Sequence, residues 1–437
     1  MRILALCNAL ALAHVSRPLE IAKILRRRGH EIVFAGHGKY LAAARDAGFA
    51  TRELPYVSAE RVVEAVRSQR MGALFPAEEA DGYVEADLAL CRELEPDLIL
   101  MDNRLSAVVS ADLAGIPRVS IMNVHMSSWR RIPFVSLRNR LKRAHDSGLG
   151  ERLLRGADWL ENRIEAVFYD QVMVGGFNRV RRRRGLKPIR GGHFEESALT
   201  LFPDVPEFNP VRRLPAHARY VGPLTWHNDL PAPRCMREGQ LDPDRPCVYL
   251  TIGSEGLREL LADAGQLADS SVQIVAATGA DPAVRAMSLP ANVFVEEFVN
   301  TDLLYGTLEN GRPRVNAIVC HGGNGTVYQA LAAGVPIVGL ATHEEQHYGL
   351  KRVEQLGLGI AFGRKVFRRG GVASVRKALV EVLRNPRYRQ NATRFAETMA
   401  RCAGGAEKAA ELIERHPACH AEQGQRIQIG KKVMATM

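Results

Sequence analysis

Three glycines, a histidine and a threonine lie together in one stretch of the chain, where they could bind a diphosphate. The segment His321-Gly322-Gly323-Asn324-Gly325-Thr326 follows an apolar run at 315–320, which is typical of a strand buried on both faces of a parallel sheet. Residues 327–333 predict a helix that Gly334 ends. Backbone N–H groups at a glycine-rich helix start can approach an anion, and the helix dipole favours negative charge there. We therefore expect a diphosphate site, with the His321 imidazole and the Thr326 hydroxyl as further donors.

Two other interpretations of this stretch were considered. Glycines can lead a strand into a helix without binding any ligand, and the residues leave that structural interpretation open. A dinucleotide fingerprint would use Gly323 and Gly325, but its third glycine would fall at Tyr328. The tyrosine ring blocks the close packing of helix and strand that this glycine provides. The dinucleotide interpretation is therefore excluded.

The same segment, together with Ala330-Leu331, Gly334-Val335-Pro336 and Glu345-Gln346, resembles the donor-binding signature of UDP-glycosyltransferase-type (family 1) glycosyltransferases. The resemblance implies an α/β protein of the GT-B class, with two Rossmann-like domains facing each other across a cleft. It also implies a nucleotide-sugar donor, linked to UDP or dTDP, and no metal or other cofactor. The donor site implied by the resemblance contains Gly253, Ser254, Phe298, Val299, His321, Gly322, Gly323, Asn324, Gly325, Thr326, Gln329, Glu345 and Gln346.

Within that donor site, two positions depart from the family pattern. Gln329 stands where the family often has a glutamate that holds ribose hydroxyls, and an amide forms that hydrogen bond without charge assistance. Glu345 is one methylene longer than the aspartate that usually precedes Gln346 in the pair that holds the sugar. The loop at 300–304, which follows Phe298 and Val299, resembles the segment that receives the nucleobase. These residues leave the sugar and the base, uracil or thymine, open.

Two residues of the N-terminal half match the family's catalytic pair. The sequence His14-Val15-Ser16-Arg17-Pro18 resembles the segment whose histidine deprotonates the acceptor, although Ala13 replaces the usual glycine and the gap to Pro18 is one residue longer. Asp102 ends an apolar run at 98–102, as does the aspartate that pairs with the histidine in the family. A carboxylate beside an imidazole fixes its tautomer and stabilises the imidazolium. The alternatives are a hydrogen-bonded loop histidine and a helix-capping aspartate.

The length and composition bound the possibilities. A chain of 437 residues favours two domains, and 46% hydrophobic residues suffice for two cores. The net charge of +11 suits an anionic ligand or lipid headgroup. Nucleic-acid binding is disfavoured because stacking aromatic residues are sparse among the basic segments. The seven cysteines are dispersed without a C-x-x-C pair, which predicts reduced thiols in a cytoplasmic protein.

The first residues imitate a signal peptide, but they are better explained as the first strand of a β-α-β unit that cleavage would destroy. We expect an N-terminal acceptor-binding domain at 1–225, a linker at 226–246 and a C-terminal donor-binding domain at 247–400. A helix at 401–416 is expected to return to the N-terminal domain, before a disordered tail at 417–437.

A basic insertion at about 127–195 interrupts the N-terminal domain. Arginines at 179 and 181–184, and others at 130, 131, 138 and 140, alternate with apolar residues such as Ile164 and Phe168. One interpretation is a solvated helical face. The other is a set of helices that lie on an anionic membrane surface, where each basic residue contributes about 1 kcal/mol. The second would place the protein peripherally on the inner face of the membrane.

Further segments bring the resemblance to one branch of the family. The segments around His14 and Asp102, the run at 181–186 and Asp204-Val205-Pro206-Glu207 are similar to those of the bacterial branch that contains mycobacterial phenolic glycolipid rhamnosyltransferases. The resemblance implies an inverting transferase that moves a hexose or deoxyhexose to a hydroxyl of a small lipophilic, phenolic or lipid acceptor.

Two alternatives to this function stay open from the residues alone. His343-Glu344-Glu345-Gln346-His347 satisfies the H-E-x-x-H pattern of zinc proteases, but it directly follows a strand, and Val353 occupies the position of the extended motif's third ligand. A non-catalytic module that binds a nucleotide or a lipid would keep the glycine loop and would not need His14 or Asp102.

Overall fold

A computed structural model describes residues 1–68, 72, 74–132, 160, 163–251, 260, 264–267, 271–278, 289–308, 311, 313–342 and 344–417. The described residues form two compact units. The first contains Met1–Leu224 together with the chain from Gly404 onward, and the second contains Thr225–Ala403. The domain boundaries expected from the sequence, with a linker at 226–246, stay a prediction. The predicted tail at 417–437, except its first residue, and the centre of the basic insertion, at 133–159, lie outside the described residues.

The first unit is built on a parallel sheet with the strand order β3-β2-β1-β4-β5-β6-β7. Its strands are β1 (Arg2–Cys7), β2 (Glu31–Gly36), β3 (Ala50–Glu53), β4 (Leu98–Asp102), β5 (Arg118–Ile121), β6 (Leu199–Phe202) and β7 (Ala218–Tyr220). The central strands are buried almost throughout, as their apolar sequences predict for strands covered on both faces.

Helices cover both faces of this sheet because successive side chains of a strand point to opposite sides. Ile3 and Ala5 of β1 join an apolar cluster with the first helix, whereas Leu4 and Leu6 join a second cluster rich in aromatic rings. The helices of the unit are Ala13–Arg27, Ala42–Asp46, Ala59–Ser68, Ala77–Leu94, Leu105–Ala114, Gly175–Arg183 and Gly405–Arg415.

The last of these helices, Gly405–Arg415, packs on the first helix. Ala409, Ala410 and Ile413 lie in the apolar cluster of the first helix and β1. Glu414 forms ion pairs with Arg28, at 2.6 Å, and with His30, at 2.9 Å. The helix Gly405–Arg415 therefore completes the first unit.

The second unit is built on a parallel sheet with the order β10-β9-β8-β11-β12-β13. Its strands are β8 (Cys247–Thr251), β9 (Gln273–Ala277), β10 (Val293–Glu296), β11 (Val315–Cys320), β12 (Ile337–Ala341) and β13 (Gly359–Gly363). Its helices are Arg234–Arg237, Ala264–Leu267, Thr301–Leu304, Asn324–Ala332, Glu344–Gln355, Arg364–Arg384 and Pro386–Arg401.

Both sheets reverse their strand order once, between β1 and β4 and between β8 and β11. In such sheets, ligands bind beside the carboxyl ends of the strands that flank the reversal. Two Rossmann-like parallel sheets confirm the predicted fold class. None of the helices in the described part of the chain has the length and hydropathy that a transmembrane span requires.

Candidate active site

The first strand-order reversal brings His14 and Asp102 to one edge of the sheet. Cys7, the last residue of β1, is paired in register with Asp102, the last residue of β4. The Asn8 N–H donates to the Asp102 carbonyl oxygen at 3.1 Å, which fixes the chain just after β1. The first helix begins at Ala13, so His14 lies in its first turn. Residues 88 positions apart thus meet because two adjacent parallel strands end together.

The His14 Nδ1 atom lies 2.7 Å from the Asp102 Oδ1 atom. A carboxylate oxygen at this distance requires a proton on Nδ1, which leaves the lone pair of the neutral ring on Nε2. The His14 side chain is 23% exposed, whereas the Asp102 side chain is fully buried. The ring is therefore accessible to a ligand while the carboxylate is shielded. This geometry suits proton abstraction from a hydroxyl, with the aspartate stabilising the imidazolium.

The second strand-order reversal carries the glycine loop. The loop follows the last residue of β11, and Gly323 is the N-cap of the helix Asn324–Ala332. Because glycine has no side chain, no cap from this residue covers the first N–H groups of the helix. The loop therefore presents a helix N-terminus to the carboxyl edge of the sheet, as an anion site requires.

The three glycines of the loop have different surroundings. Gly322 has a φ of +88°, and a Cβ atom there would lie 2.5 Å from Leu350. A Cβ atom at Gly323 would lie 2.5 Å from the His321 Nε2 atom, so this glycine lets the imidazole cover the loop. At Gly325 a Cβ atom would meet nothing within 4 Å. Internal packing thus explains Gly322 and Gly323, whereas Gly325 faces open space beside the helix start.

Glu345 and Gln346 lie in the first turn of the helix Glu344–Gln355. Glu345 is exposed, whereas Gln346 is 4% exposed. The Gln346 Oε1 atom accepts hydrogen bonds from the Thr342 N–H at 2.8 Å and from its hydroxyl at 2.9 Å. The amide oxygen of Gln346 therefore holds the loop after β12, and contact with a sugar would fall to its amide nitrogen.

Predicted donor residues next to the nucleobase loop at 300–304 contact Trp226 and its neighbours. The Phe298 ring is 37% exposed and stands edge-on to the Trp226 ring, with 6.5 Å between centroids. The Gln329 Nε2 atom donates to the Trp226 carbonyl at 3.0 Å, and the Val299 carbonyl accepts from the Asn228 amide at 3.3 Å. Three predicted donor residues are thereby connected through one short segment of the second unit.

Some predicted residues lie outside the described part of the chain. Gly253 and Ser254 are among them, and so is His343 of the H-E-x-x-H pattern. The rest of that pattern opens the helix Glu344–Gln355, with His347 exposed. Within the described ranges, no three His, Cys, Asp or Glu side chains are grouped to hold a metal ion.

Comparisons with known proteins complete this picture. The family model for the erythromycin biosynthesis protein CIII-like C-terminal domain matches residues 258–415. The PGL/p-HBAD biosynthesis rhamnosyltransferase of Mycobacterium bovis (strain BCG / Pasteur 1173P2) is 34% identical over 407 residues, which cover 92% of this chain and 84% of that protein. The PGL/p-HBAD biosynthesis glycosyltransferase of Mycobacterium tuberculosis (strain ATCC 25177 / H37Ra) is 33% identical over 403 residues, covering 91% and 88%.

The chain belongs to the family 1 glycosyltransferases. Its sheets also match a solved structure, the spinosyn rhamnosyltransferase SpnG complexed with thymidine diphosphate, with a TM-score of 0.67 over 94% of this chain and all of that one. At 18% identity, this match supports the GT-B fold alone. The 34% identity to a rhamnosyltransferase, which extends over 92% of this chain, shows that the protein is a nucleotide-sugar-dependent glycosyltransferase. The zinc-protease interpretation of the H-E-x-x-H pattern is therefore set aside.

The glycosyltransferase has site residues that sequence reasoning missed. Arg17 binds Asp102, Asn123 binds Arg17, and Trp226 lies against Phe298. Arg17 lies three residues after His14, so a helix beginning at His14 would have placed both on one face. Trp226 lies in the segment predicted as a linker. A large aromatic residue in such a polar segment was the feature that could have indicated a binding role.

Glu195 and Glu196 are adjacent and buried, yet their surroundings differ. Burial raises the pKa of Glu195, and the nearby Asp102 charge raises it further, while the His14 charge opposes this. The Tyr169 hydroxyl donates to Glu195 at 3.3 Å. Glu195 therefore lies in the electrostatic field of the His14–Asp102 pair.

Glu196 instead joins three segments of the first unit. Its carboxylate accepts hydrogen bonds from Ser128, Trp129, His193 and His217, each at 3.1 Å. Although burial opposes ionisation, the bonds from His193 and His217 lower the pKa of Glu196 to about 2. The hydrogen bonds of Glu196 thus hold the fold together, whereas Glu195 interacts electrostatically with His14 and Asp102.

Three arginines of the run at 179–184 pair with carboxylates of the first unit. Arg181 pairs with Asp112 at 2.6 Å, and Arg184 pairs with Asp81 at 3.0 Å. Arg183 also lies 3.0 Å from Glu78. These pairs favour the interpretation in which this part of the basic insertion is a helical face packed on the helix Ala77–Leu94.

Proposed function

We propose that this glycosyltransferase moves a hexose or deoxyhexose from a UDP- or dTDP-sugar to a hydroxyl of a lipophilic acceptor, phenolic or lipid in class, with inversion of the anomeric centre. The observation that carries the proposal is the 2.7 Å contact between the His14 ring and the buried Asp102 carboxylate. The acceptor class is supported by the two mycobacterial relatives, which are named for PGL/p-HBAD biosynthesis.

In the proposed reaction, the His14 Nε2 atom accepts the proton of the acceptor hydroxyl. The acceptor oxygen attacks the anomeric carbon, and the bond from that carbon to the diphosphate oxygen breaks. The nucleoside diphosphate leaves with the electron pair of that bond. A single displacement of this kind inverts the anomeric configuration.

The leaving diphosphate gains charge, and the glycine loop is the proposed place where that charge is stabilised. The N–H groups at the start of the helix Asn324–Ala332, the Thr326 hydroxyl and the His321 ring supply the donors. We propose that these donors take the role that a metal ion has in other transferases. Under this proposal, the rate is unchanged when a chelator such as EDTA is added.

The remaining donor contacts follow from the side-chain positions. With its Nε2 atom bound to the Trp226 carbonyl, Gln329 would offer its Oε1 atom to a hydroxyl of the nucleoside sugar. Glu345 and the amide nitrogen of Gln346 would hold the transferred sugar. Ser254, which lies outside the described residues, would contact the diphosphate.

A donor panel tests the proposal. Release of nucleoside diphosphate is measured from UDP- and dTDP-linked sugars, with and without a phenol or a long-chain alcohol, and the anomeric configuration of the product is read by NMR. We expect acceptor-dependent release, an inverted product and no turnover by His14→Asn. A retained configuration, or full turnover by His14→Asn, would refute the mechanism.

We also propose peripheral contact with an anionic membrane, through apolar side chains around the helical residues 163–168. Leu160, Ile164, Val167 and Phe168 are between 47% and 60% exposed, at helical spacing. Because the arginines at 181, 183 and 184 are paired with carboxylates, the apolar contribution should dominate. We expect co-sedimentation with phosphatidylglycerol vesicles that the double substitution Ile164→Ser and Phe168→Ser abolishes. Equal sedimentation of both proteins would refute the contact.

A further inference from the structure

Arg17 lies in the first helix, one turn after His14, and its guanidinium binds the same aspartate. The Arg17 Nε atom donates to Asp102 Oδ2 at 2.8 Å, and the Nη2 atom donates to Asp102 Oδ1 at 2.5 Å. The Nη1 atom donates to Asn123 Oδ1 at 2.7 Å. Arg17 is 6% exposed. A planar fork of this kind fixes the orientation of a carboxylate more strictly than a single hydrogen bond does.

The guanidinium also lies next to the imidazole, with 2.9 Å between Arg17 Nη2 and His14 Nδ1. If Nδ1 were unprotonated and accepted a hydrogen bond from Arg17, its lone pair would also face the Asp102 oxygen 2.7 Å away. Because that arrangement is repulsive, the Nδ1 proton is directed to Asp102 instead. The guanidinium then contributes through its charge, which disfavours the imidazolium just as the carboxylate favours it.

Other ionisable groups face this cluster from neighbouring elements. Glu195, before β6, interacts with both His14 and Asp102, and the Tyr169 hydroxyl binds it. Cys7, at the end of β1, lies in the field of Asp102 and Arg17, and burial raises the pKa of its thiol well above the usual value. Arg104, after β4, is paired with Asp87 at 2.7 Å. Arg17 is thus the cation in direct contact with both members of the pair.

We infer that Arg17 is a positioning residue of the transfer reaction, which fixes Asp102 against His14 and places a positive charge beside the ring, so that the site favours acceptors with acidic, phenol-like hydroxyls. The inference rests on the proposed function, in which His14 takes the acceptor proton. Asp102 alone would make the pair a stronger base, suited to alkanols. With Arg17 present, the charges of Arg17 and Asp102 cancel, and a weaker base requires a hydroxyl that ionises more readily.

The test is the pH dependence of kcat/KM for a phenol acceptor in three variants. Arg17→Gln removes the charge and the fork, Arg17→Lys keeps the charge without the fork, and Asn123→Ala removes only the outer partner of the guanidinium. Activity rises with pH as the base loses its proton, and removing a neighbouring cation makes that loss require a higher pH. We expect Arg17→Gln to move the acid limb upward by about one pH unit. The limbs of Arg17→Lys and Asn123→Ala should stay in place.

A second readout is the ratio of rates with a phenol and with an alkanol of similar size. Arg17→Gln should lower this ratio at least threefold, because the stronger base favours the less acidic hydroxyl relatively more. A purely structural role would reduce both rates equally at every pH. That outcome, with the acid limb unmoved, would overturn the inference.

Folding is checked by thermal unfolding of each variant. If Arg17→Gln does not fold, Arg17→Lys carries the test, since we expect its kcat to fall at least tenfold while its acid limb stays in place. An Arg17→Lys enzyme with the wild-type rate would overturn the positioning role. Turnover by His14→Asn separates the two hypotheses. If that variant stays active, the proposed base is wrong, whereas an inactive His14→Asn beside an unshifted Arg17→Gln refutes only the role of Arg17.

Discussion

The two sheet edges at the strand-order reversals consist of different kinds of chemical groups. The first edge holds ionised side chains, Asp102 and Arg17, which are almost completely buried and bound to each other. The second edge holds a glycine loop and a helix start whose N-cap residue, Gly323, has no capping side chain. Burying charges is costly unless they are paired, so the first edge needs a dense network around one histidine. A neutral backbone N–H group costs less to desolvate than a charge does, so the second edge needs only the absence of side chains.

This comparison predicts the largest effect for the base. His14→Asn removes the proton acceptor and leaves the glycine loop untouched, so kcat should fall about 10³-fold with little change in the KM of the donor. Steady-state kinetics with a phenol acceptor measures both constants.

His30 provides a matched control for this substitution. It also pairs with a carboxylate, Glu414, at 2.9 Å, but it lies before β2, at the opposite end of the strands. His30→Gln should therefore retain wild-type kcat. If His30→Gln lost as much activity as His14→Asn, disturbance of the fold would explain both.

The adjacent glutamates should respond to substitution in opposite directions. Because the pKa of Glu196 is lowered from 4.5 to about 2 in the folded protein, its carboxylate stabilises the fold above pH 4.5, and this contribution disappears as the pH falls to 2. Glu196→Gln should lower the free energy of unfolding by about 2–3 kcal/mol at pH 7.5. The difference from wild type should vanish towards pH 2.

For Glu195 the sign is reversed. Its pKa is raised by burial, so its ionisation costs stability as the pH rises above the unfolded value of 4.5. Glu195→Gln should raise the midpoint of thermal unfolding at pH 7.5 and leave it unchanged near pH 4. Destabilisation by both substitutions at pH 7.5 would mean that the first edge stores no electrostatic cost at Glu195.

Two glycine substitutions test the backbone edge. In Gly323→Ala the new methyl group would meet the His321 ring, so the donor KM should rise about tenfold and the thermal midpoint should fall. In Gly325→Ala the methyl group meets open space, and alanine suits a helix better by about 0.8 kcal/mol. Its thermal midpoint should therefore hold or rise while the donor KM still increases. Unchanged donor KM values in both variants would refute a diphosphate site at this loop.

The smallest effect is expected at Gln329. Gln329→Ala removes the hydrogen bond to the Trp226 carbonyl and one neutral acceptor for the nucleoside, so the donor KM should rise about threefold with kcat unchanged. Competition of free UDP and dTDP against the donor provides the measurement. A loss of kcat instead would place Gln329 in the chemical step.

The sequence was more informative about the second edge than about the first. Glycine loops are local features, and the buried run at 315–320 followed by His321 and glycines predicts strand, loop and helix without any distant contact. The His14–Asp102 pair could be named because the family resemblance connected two segments 88 residues apart. Periodicity alone would not have connected them.

Arg17 shows why the rest could not be predicted. Arginine on an amphipathic helix usually faces solvent, and its burial here depends on Asp102 and Asn123, which are 85 and 106 residues away in sequence. The arginines at 181, 183 and 184 show the opposite case. In the sequence they look like unpaired charges, but in the fold they pair with carboxylates from distant segments. Ion pairs depend on which residues the fold brings together, whereas the ends of strands and helices at glycines can be predicted from the local sequence.

The assignment of separate roles to the two edges is tested most directly by equilibrium titration of UDP and dTDP into the wild-type protein, His14→Asn and Gly323→Ala. The account assigns proton transfer to the first edge and diphosphate binding to the second. For the nucleotide that binds wild type more tightly, the Kd of His14→Asn should therefore be within about twofold of wild type. The Kd of Gly323→Ala should be about tenfold higher. The opposite pattern, with binding lost in His14→Asn and intact in Gly323→Ala, would contradict the account.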